Sequence, residues 1–135
     1  MFPSFFQFLV FQAIQLFDPS ETTMTANTSV PFVPCAEIVT FRLVEGISPS
    51  RFLEDAKKTL PVVQEFGGCL ERSLSVDEGG LWTDYIIWKD RETALKAAAE
   101  VPKDPRFADF GMAIDPASVD MHHADVEMKW AASPQ

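Results

Sequence analysis

Hydrophobic periodicity along the chain predicts an α+β fold: one antiparallel sheet in β-α-β-β-α-β order, with both helices on one face. Three stretches carry this reading. GLWTDYIIWKDRETALKAAAE, residues 80–100, is an alternating Trp-rich strand that runs straight into a helix. AEIVTFRLV, residues 36–44, followed by SPSRFLEDAKKTL, repeats the same strand-to-helix order earlier in the chain. DEGG, residues 77–80, separates two alternating runs as a hairpin does, because Gly supplies the positive φ that tight hairpin turns require.

Each element follows in order. In the first strand, Val39, Phe41 and Leu43 share one face, and Ile38, Thr40, Arg42 and Val44 the other, since successive side chains alternate. Ser48 suits the N-cap and Pro49 the first helical position of a helix over 49–66. Leu53, Ala56, Leu60 and Val63 recur there at helical spacing. Pro61 lacks a backbone N–H, so a kink or a fresh turn is expected at that point. Gly67-Gly68 ends the helix. The second strand is predicted over 69–76 and the third over 81–88. Asp90 caps the second helix, over 91–100, and Glu92 lies where the helix dipole favours an anion. Pro102 and Pro105 force a loop, Arg106 to Phe110 can form a short turn, and a last strand is expected over 119–126. Two β-α-β halves of this length make a split β-α-β, or ferredoxin-like, sheet.

The chain of 135 residues suits one such domain, over residues 35–127, with an N-terminal segment 1–34 and a short tail 128–135. Hydrophobic residues make up 47% of it, enough for a core. The net charge of −9 argues against a nucleic-acid partner, which needs clustered Lys and Arg. Cys35 and Cys69 stand in no metal or redox spacing, and a reduced pair in a cytoplasmic protein is the expectation.

Residues 1–17 carry no charge and hold half of the 12 Phe. The stretch lacks the basic start of a signal peptide and falls short of the ~20 apolar residues of a membrane span. An amphipathic docking helix is a further reading. The preferred one is that Met24 is the natural start and the upstream segment an extension, so that membrane contact arises only if that segment belongs to the native protein.

Helices on one side leave the other sheet face uncovered. By the parity above that face holds Ile38, Val44, Trp82, Ile86 and Trp88, and a homodimer formed sheet-to-sheet would bury it. Asp84 lies between Trp82 and Trp88 on the same face and needs a partner if buried; Arg42 has the parity to reach it. These four residues are either a dimer seam or the polar anchor and walls of a small-molecule site. His122 and His123 are the only histidines; adjacent on a strand, they point to opposite faces and cannot share a metal, so no metal site is expected. Tyr85 is placed on the helix side with His123, Phe41 and Met121, under Phe107 or Phe110. His123 with Tyr85 would then suit proton transfer, because imidazole titrates near neutral pH. If that face assignment is inverted, His122 takes the place of His123. The alternative for both histidines is structural hydrogen bonding.

YIIWKD before ETALKAAAE, the segment PRFADF after the second helix, and the final SVDMHHADV together resemble the dimeric α/β-barrel superfamily, nearest its antibiotic-biosynthesis-monooxygenase-like domains. The resemblance spans residues 36–126. It implies a homodimer and an internal cavity for a small apolar or aromatic ligand. The activity it implies is cofactor-free: monooxygenase-like, or isomerase- or cyclase-like. The competing implication is a non-catalytic stress-response or interaction protein with a closed core.

Overall fold

A computed structural model describes residues 32–134; the apolar segment 1–17 and Met24 lie outside the described residues. The order is β1 (Cys35–Phe41), α1 (Pro49–Phe66), β2 (Cys69–Val76), β3 (Trp82–Trp88), α2 (Arg91–Glu100), two 3-10 turns (Val101–Lys103 and Pro105–Phe107), α3 (Ala108–Met112), a third 3-10 turn (Pro116–Ser118) and β4 (Asp120–Asp125). The strands form one antiparallel sheet in the order β2-β3-β1-β4. Among the described residues no helix is long and apolar enough to cross a membrane.

Local chemistry explains the boundaries. Ser48 Oγ accepts from the Arg51 N–H at the start of α1, and Pro49 follows in the first turn, where its missing N–H costs nothing. The Asp90 carboxylate accepts from the Thr93 N–H at 2.7 Å and starts α2. At the turn into β2, Gly68 adopts φ +84°, and a Cβ there would meet Thr93 Cγ2 at 2.8 Å, so only glycine fits. The Gly68 carbonyl accepts from the Lys89 N–H, joining the start of β2 to the end of β3.

Several expectations are corrected. β1 ends at Phe41, and beyond it Leu43 makes only an isolated bridge to Ile114. α1 runs over Pro49–Phe66 with Pro61 inside it, so no new helix begins at that point. Its inward stripe is Phe52, Ala56, Thr59 and Val63, while Leu53 and Leu60 are exposed. Phe52 wins the inward position because its ring has aromatic neighbours there: Trp82 at 4.8 Å, Phe110 at 5.0 Å and Phe41 at 5.6 Å between centroids.

The largest correction concerns β3. Phe41 lies opposite Trp82, Val39 opposite Asp84, Glu37 opposite Ile86 and Cys35 opposite Trp88. Directly opposed residues share a face, so Trp82, Asp84, Ile86 and Trp88 point into the sheet–helix core with Phe41. They do not form the uncovered face. Tyr85 points away from the helices, as do Ile38 and His122, its neighbours by register. Met121 and His123 face the helices, as expected, opposite Val39 and Glu37. Beyond β4, Lys129 meets Glu71 of the opposite edge strand β2 at 3.4 Å. Cys35 and Cys69 are both free.

Candidate functional site

Between the sheet and the helices lies a partly open cavity of about 50 Å3. Its apolar walls include Phe41 and Met121 from the sheet, Ala97 and Ala98 from α2, and Phe107 and Phe110 from the segment that follows. Small side chains on α2 let that helix approach the sheet closely. Three ionisable groups also line the space: Glu37, Arg72 and Asp84.

Arg72 and Asp84 form a side-by-side pair. The guanidinium donates from Nε to Oδ1 at 3.0 Å and from Nη2 to Oδ2 at 2.8 Å. Both side chains are almost wholly buried, at 8% and 7% exposure. The remaining nitrogen, Nη1, donates to Thr59 Oγ1 at 2.8 Å, and Thr59 in turn donates to the Ala56 carbonyl. The Phe110 ring lies 5.7 Å from the guanidinium carbon. Thr59 therefore occupies an inward helix position because its hydroxyl completes the arginine's coordination.

Glu37 and His123 form a second buried pair, Oε2 to Nε2, at 2.8 Å. Burial pushes the Glu37 carboxyl above its ordinary range, and the hydrogen bond with His123 opposes that shift only in part. His123 is not itself a wall of the cavity; it reaches the space through Glu37. Among the described residues, His123 Nδ1 and Trp88 Nε1 are buried without a hydrogen-bond partner.

Of the residues singled out in the sequence, the fold brings together Phe41, Asp84, Trp88, Phe107, Phe110 and Met121 as walls, with His123 behind Glu37. Trp82 is buried in the same core but packs on Phe52. Three do not join them. Tyr85 and His122 lie on the outer face, so the expected Tyr85–His123 pair does not exist. Arg42 follows β1 and donates to the Gly79 carbonyl at 2.7 Å; it does not pair with Asp84. Asp84 takes Arg72 instead, because the adjacent strand β2 presents that side chain on the core face. Sequence reasoning missed Glu37, Arg72 and Thr59. Glu37 was detectable: it shares strand parity with Val39 and Phe41, which marks it as an acid bound for the core. Among the described residues, no group of three or more His, Cys, Asp or Glu is placed to hold a metal ion.

No family model matches the chain, and no curated protein matches it. Solved structures do. A Chloroflexus aurantiacus J-10-fl protein assigned by name to the antibiotic biosynthesis monooxygenases is 15% identical, with 73% of this chain and 97% of that one covered and a TM-score of 0.54. SnoaB, a cofactor-independent oxygenase from Streptomyces nogalater, is 12% identical, with 73% and 96% covered and a TM-score of 0.50. A conserved protein of unknown function from Bacteroides thetaiotaomicron VPI-5482 is 14% identical, with 70% and 99% covered and a TM-score of 0.51. At such identities the likeness is one of architecture, and the order of elements, the sheet and the one-sided helices agree with it. The chain has the ferredoxin-like fold of the antibiotic-biosynthesis-monooxygenase-like structures.

Proposed function

We propose that the protein binds a small, neutral, mostly apolar molecule in the sheet–helix cavity and moves a proton on it through the Glu37–His123 pair. The observation that carries this reading is Glu37: a carboxyl group at 5% exposure, on an apolar cavity wall, raised by burial and hydrogen-bonded to an imidazole. A carboxyl tuned upward in this way is a better base at neutral pH than an ordinary one, and His123 can hold the proton arrangement on its far side. The ligand class follows from charge. Arg72 is committed to Asp84 through both carboxylate oxygens, so among the described residues of the cavity wall no cation is left over for an anionic ligand. Enolisable ketones and phenols fit: each is neutral until a base removes its proton. SnoaB, a cofactor-independent oxygenase, lends the proposal a precedent for chemistry on this fold without a cofactor.

The present volume sets a condition. A cavity of about 50 Å3 holds a few water molecules, each needing ~10–15 Å3 on the same measure, whereas an aromatic ring needs more room. The walls must therefore move for a ring to bind. The same small volume favours a second reading, a closed core in a non-catalytic protein.

The discriminating experiment has two steps. Small ketones and phenols are screened by thermal shift against the wild type and an Ala98→Leu variant, which fills the cavity. Bound compounds are then followed for solvent deuterium uptake. Cavity binding raises the melting temperature of the wild type only, and Glu37→Gln and His123→Gln abolish exchange while retaining the shift. No shift with any compound supports the closed core.

A second copy of the chain is our proposed partner. Both helices lie on one side, and the outer sheet face leaves Ile38, Thr40, Thr83 and Tyr85 only half-buried. Pairing of two such faces would cover them.

A further inference from the structure

We infer that Arg72 receives the carbonyl oxygen of the ligand while Glu37 takes a proton from the carbon beside it, so that the substrate class is enolisable ketones rather than phenols. The inference rests on the proposed base, Glu37, and adds the group that faces it. Sheet register aligns the two. Arg72 of β2 lies opposite Ile86 of β3, Ile86 opposite Glu37 of β1, and Glu37 opposite His123 of β4. Opposed residues share a face, so these four form one row across the core side of the sheet. Arg72 and Glu37 start two strand spacings apart, roughly 10 Å, with Ile86 between them. All three line the cavity. A molecule resting on Ile86 therefore has a guanidinium on one side and a carboxyl group on the other.

The guanidinium has donors to spare. An arginine carries five N–H groups in a fixed plane. Asp84 takes the one on Nε and one on Nη2, and Thr59 takes one on Nη1. One N–H on each of Nη1 and Nη2 is left without an acceptor among the described residues. The side chain is only 8% exposed, so water does little for them, and a buried donor gains from an acceptor. Asp84 cancels the charge, which suits a neutral oxygen better than an anion.

Ketones and phenols use such a row differently. In a phenol the oxygen that accepts also carries the acidic proton, so both functions fall on one atom. In a ketone the acceptor is oxygen and the acidic hydrogen sits on the neighbouring carbon, so donor and base approach from opposite sides. Glu37, as carboxylate, takes that hydrogen as a proton. The C–H electron pair forms a C=C bond, and the carbonyl π pair moves onto oxygen. Hydrogen bonds strengthen as that oxygen gains charge, so the Arg72 donors act most on the enolate-like transition state. The reverse step returns a proton from Glu37, exchanged with solvent, to the carbon.

The probes are cyclopentanone and phenol, rings of similar size. In wild-type protein with 15N-labelled arginine, cyclopentanone should move the Arg72 Nη proton signals saturably, and not in Ala98→Leu, whose cavity is filled. Arg72→Lys keeps a positive charge beside Asp84 but loses the planar fork. It should slow deuterium uptake by cyclopentanone about 10²-fold, the loss of one oxyanion donor, while retaining the thermal shift. The Nη signals of the wild type decide the matter even if that variant does not fold. Arg72 signals that stay put while the wild type exchanges deuterium overturn the inference and leave Glu37 as the base. So does uptake at the wild-type rate in a folded Arg72→Lys. Binding of phenol without binding of cyclopentanone likewise overturns the inference alone. No response to either compound overturns both this inference and the reading on which it rests.

Discussion

Arg72 and Asp84 sit diagonally across β2 and β3, Arg72 opposite Ile86 and Asp84 opposite Leu74, and their side chains meet in a two-point contact under α1. Charges so deeply buried are held by their mutual geometry and by Thr59, and each is costly to leave alone. Asp84→Asn or Arg72→Met is expected to destabilise the fold by ~3–5 kcal/mol. The double variant Arg72→Met/Asp84→Leu should recover most of that loss. Urea denaturation of the three variants checks this, and a double variant as weak as the singles would contradict it.

Glu37 makes a pH-dependent contribution of definite sign. Burial raises its folded-state pKa above the ordinary 4.5, so the folded protein holds this proton more tightly than the unfolded chain does. Its contribution is fully present below pH 4.5 and is lost as pH rises through the folded-state value. The side-chain amide introduced by Glu37→Gln does not titrate. The stability of Glu37→Gln relative to wild type is therefore expected to grow as pH rises from 4.5 and then level off. Urea melts of both proteins between about pH 4 and pH 8 measure the difference, and a flat difference would show that Glu37 titrates as in the unfolded chain.

Asp104, on the surface, shifts in the opposite sense. The Arg106 guanidinium holds its carboxyl down to about 2, so their ion pair persists until the pH falls from the ordinary 3.8 towards that value. An NMR titration of the Asp104 side-chain carbonyl carbon should therefore find its midpoint below 3.8 in the wild type and nearer 3.8 in Arg106→Gln. An equal midpoint in both proteins would rule out this assignment.

If a second copy covers the outer sheet face, Tyr85→Arg and Ile38→Arg should shift sedimentation equilibrium toward monomer while leaving the circular dichroism intact. Leu53→Arg, on the exposed side of α1, should leave the association state unchanged. Equal association in all three would place the interface elsewhere.

Asp90 offers a calibration away from the cavity. Its carboxylate satisfies the Thr93 N–H, which otherwise lacks an intrahelical partner in the first turn. Asp90→Ala should cost about 1 kcal/mol, and Asp90→Ser much less, by the same urea measurement.

Element order, both helices, the hairpin and the capping residues were legible in the sequence because each depends on neighbours a few positions away. Asp90 caps α2 through Thr93, three residues on, and Gly67 and Gly68 stop α1 where a positive φ is needed. The face of β3 was not legible. Trp82, Ile86 and Trp88 on one parity and Leu81, Tyr85 and Ile87 on the other are both apolar, and Asp84 weighs against the face that is in fact buried. Only pairing resolves it: Phe41 opposite Trp82 sends the tryptophans inward, and Arg72 from β2 makes the buried carboxylate tolerable. The site followed the same rule. Glu37 and His123 lie 86 positions apart, and their contact exists only because β1 and β4 pair with those two residues opposed. Local chemistry sets where strands and helices begin and end, whereas which side chains meet in the core depends on sheet register, a long-range property that periodicity within one strand does not carry.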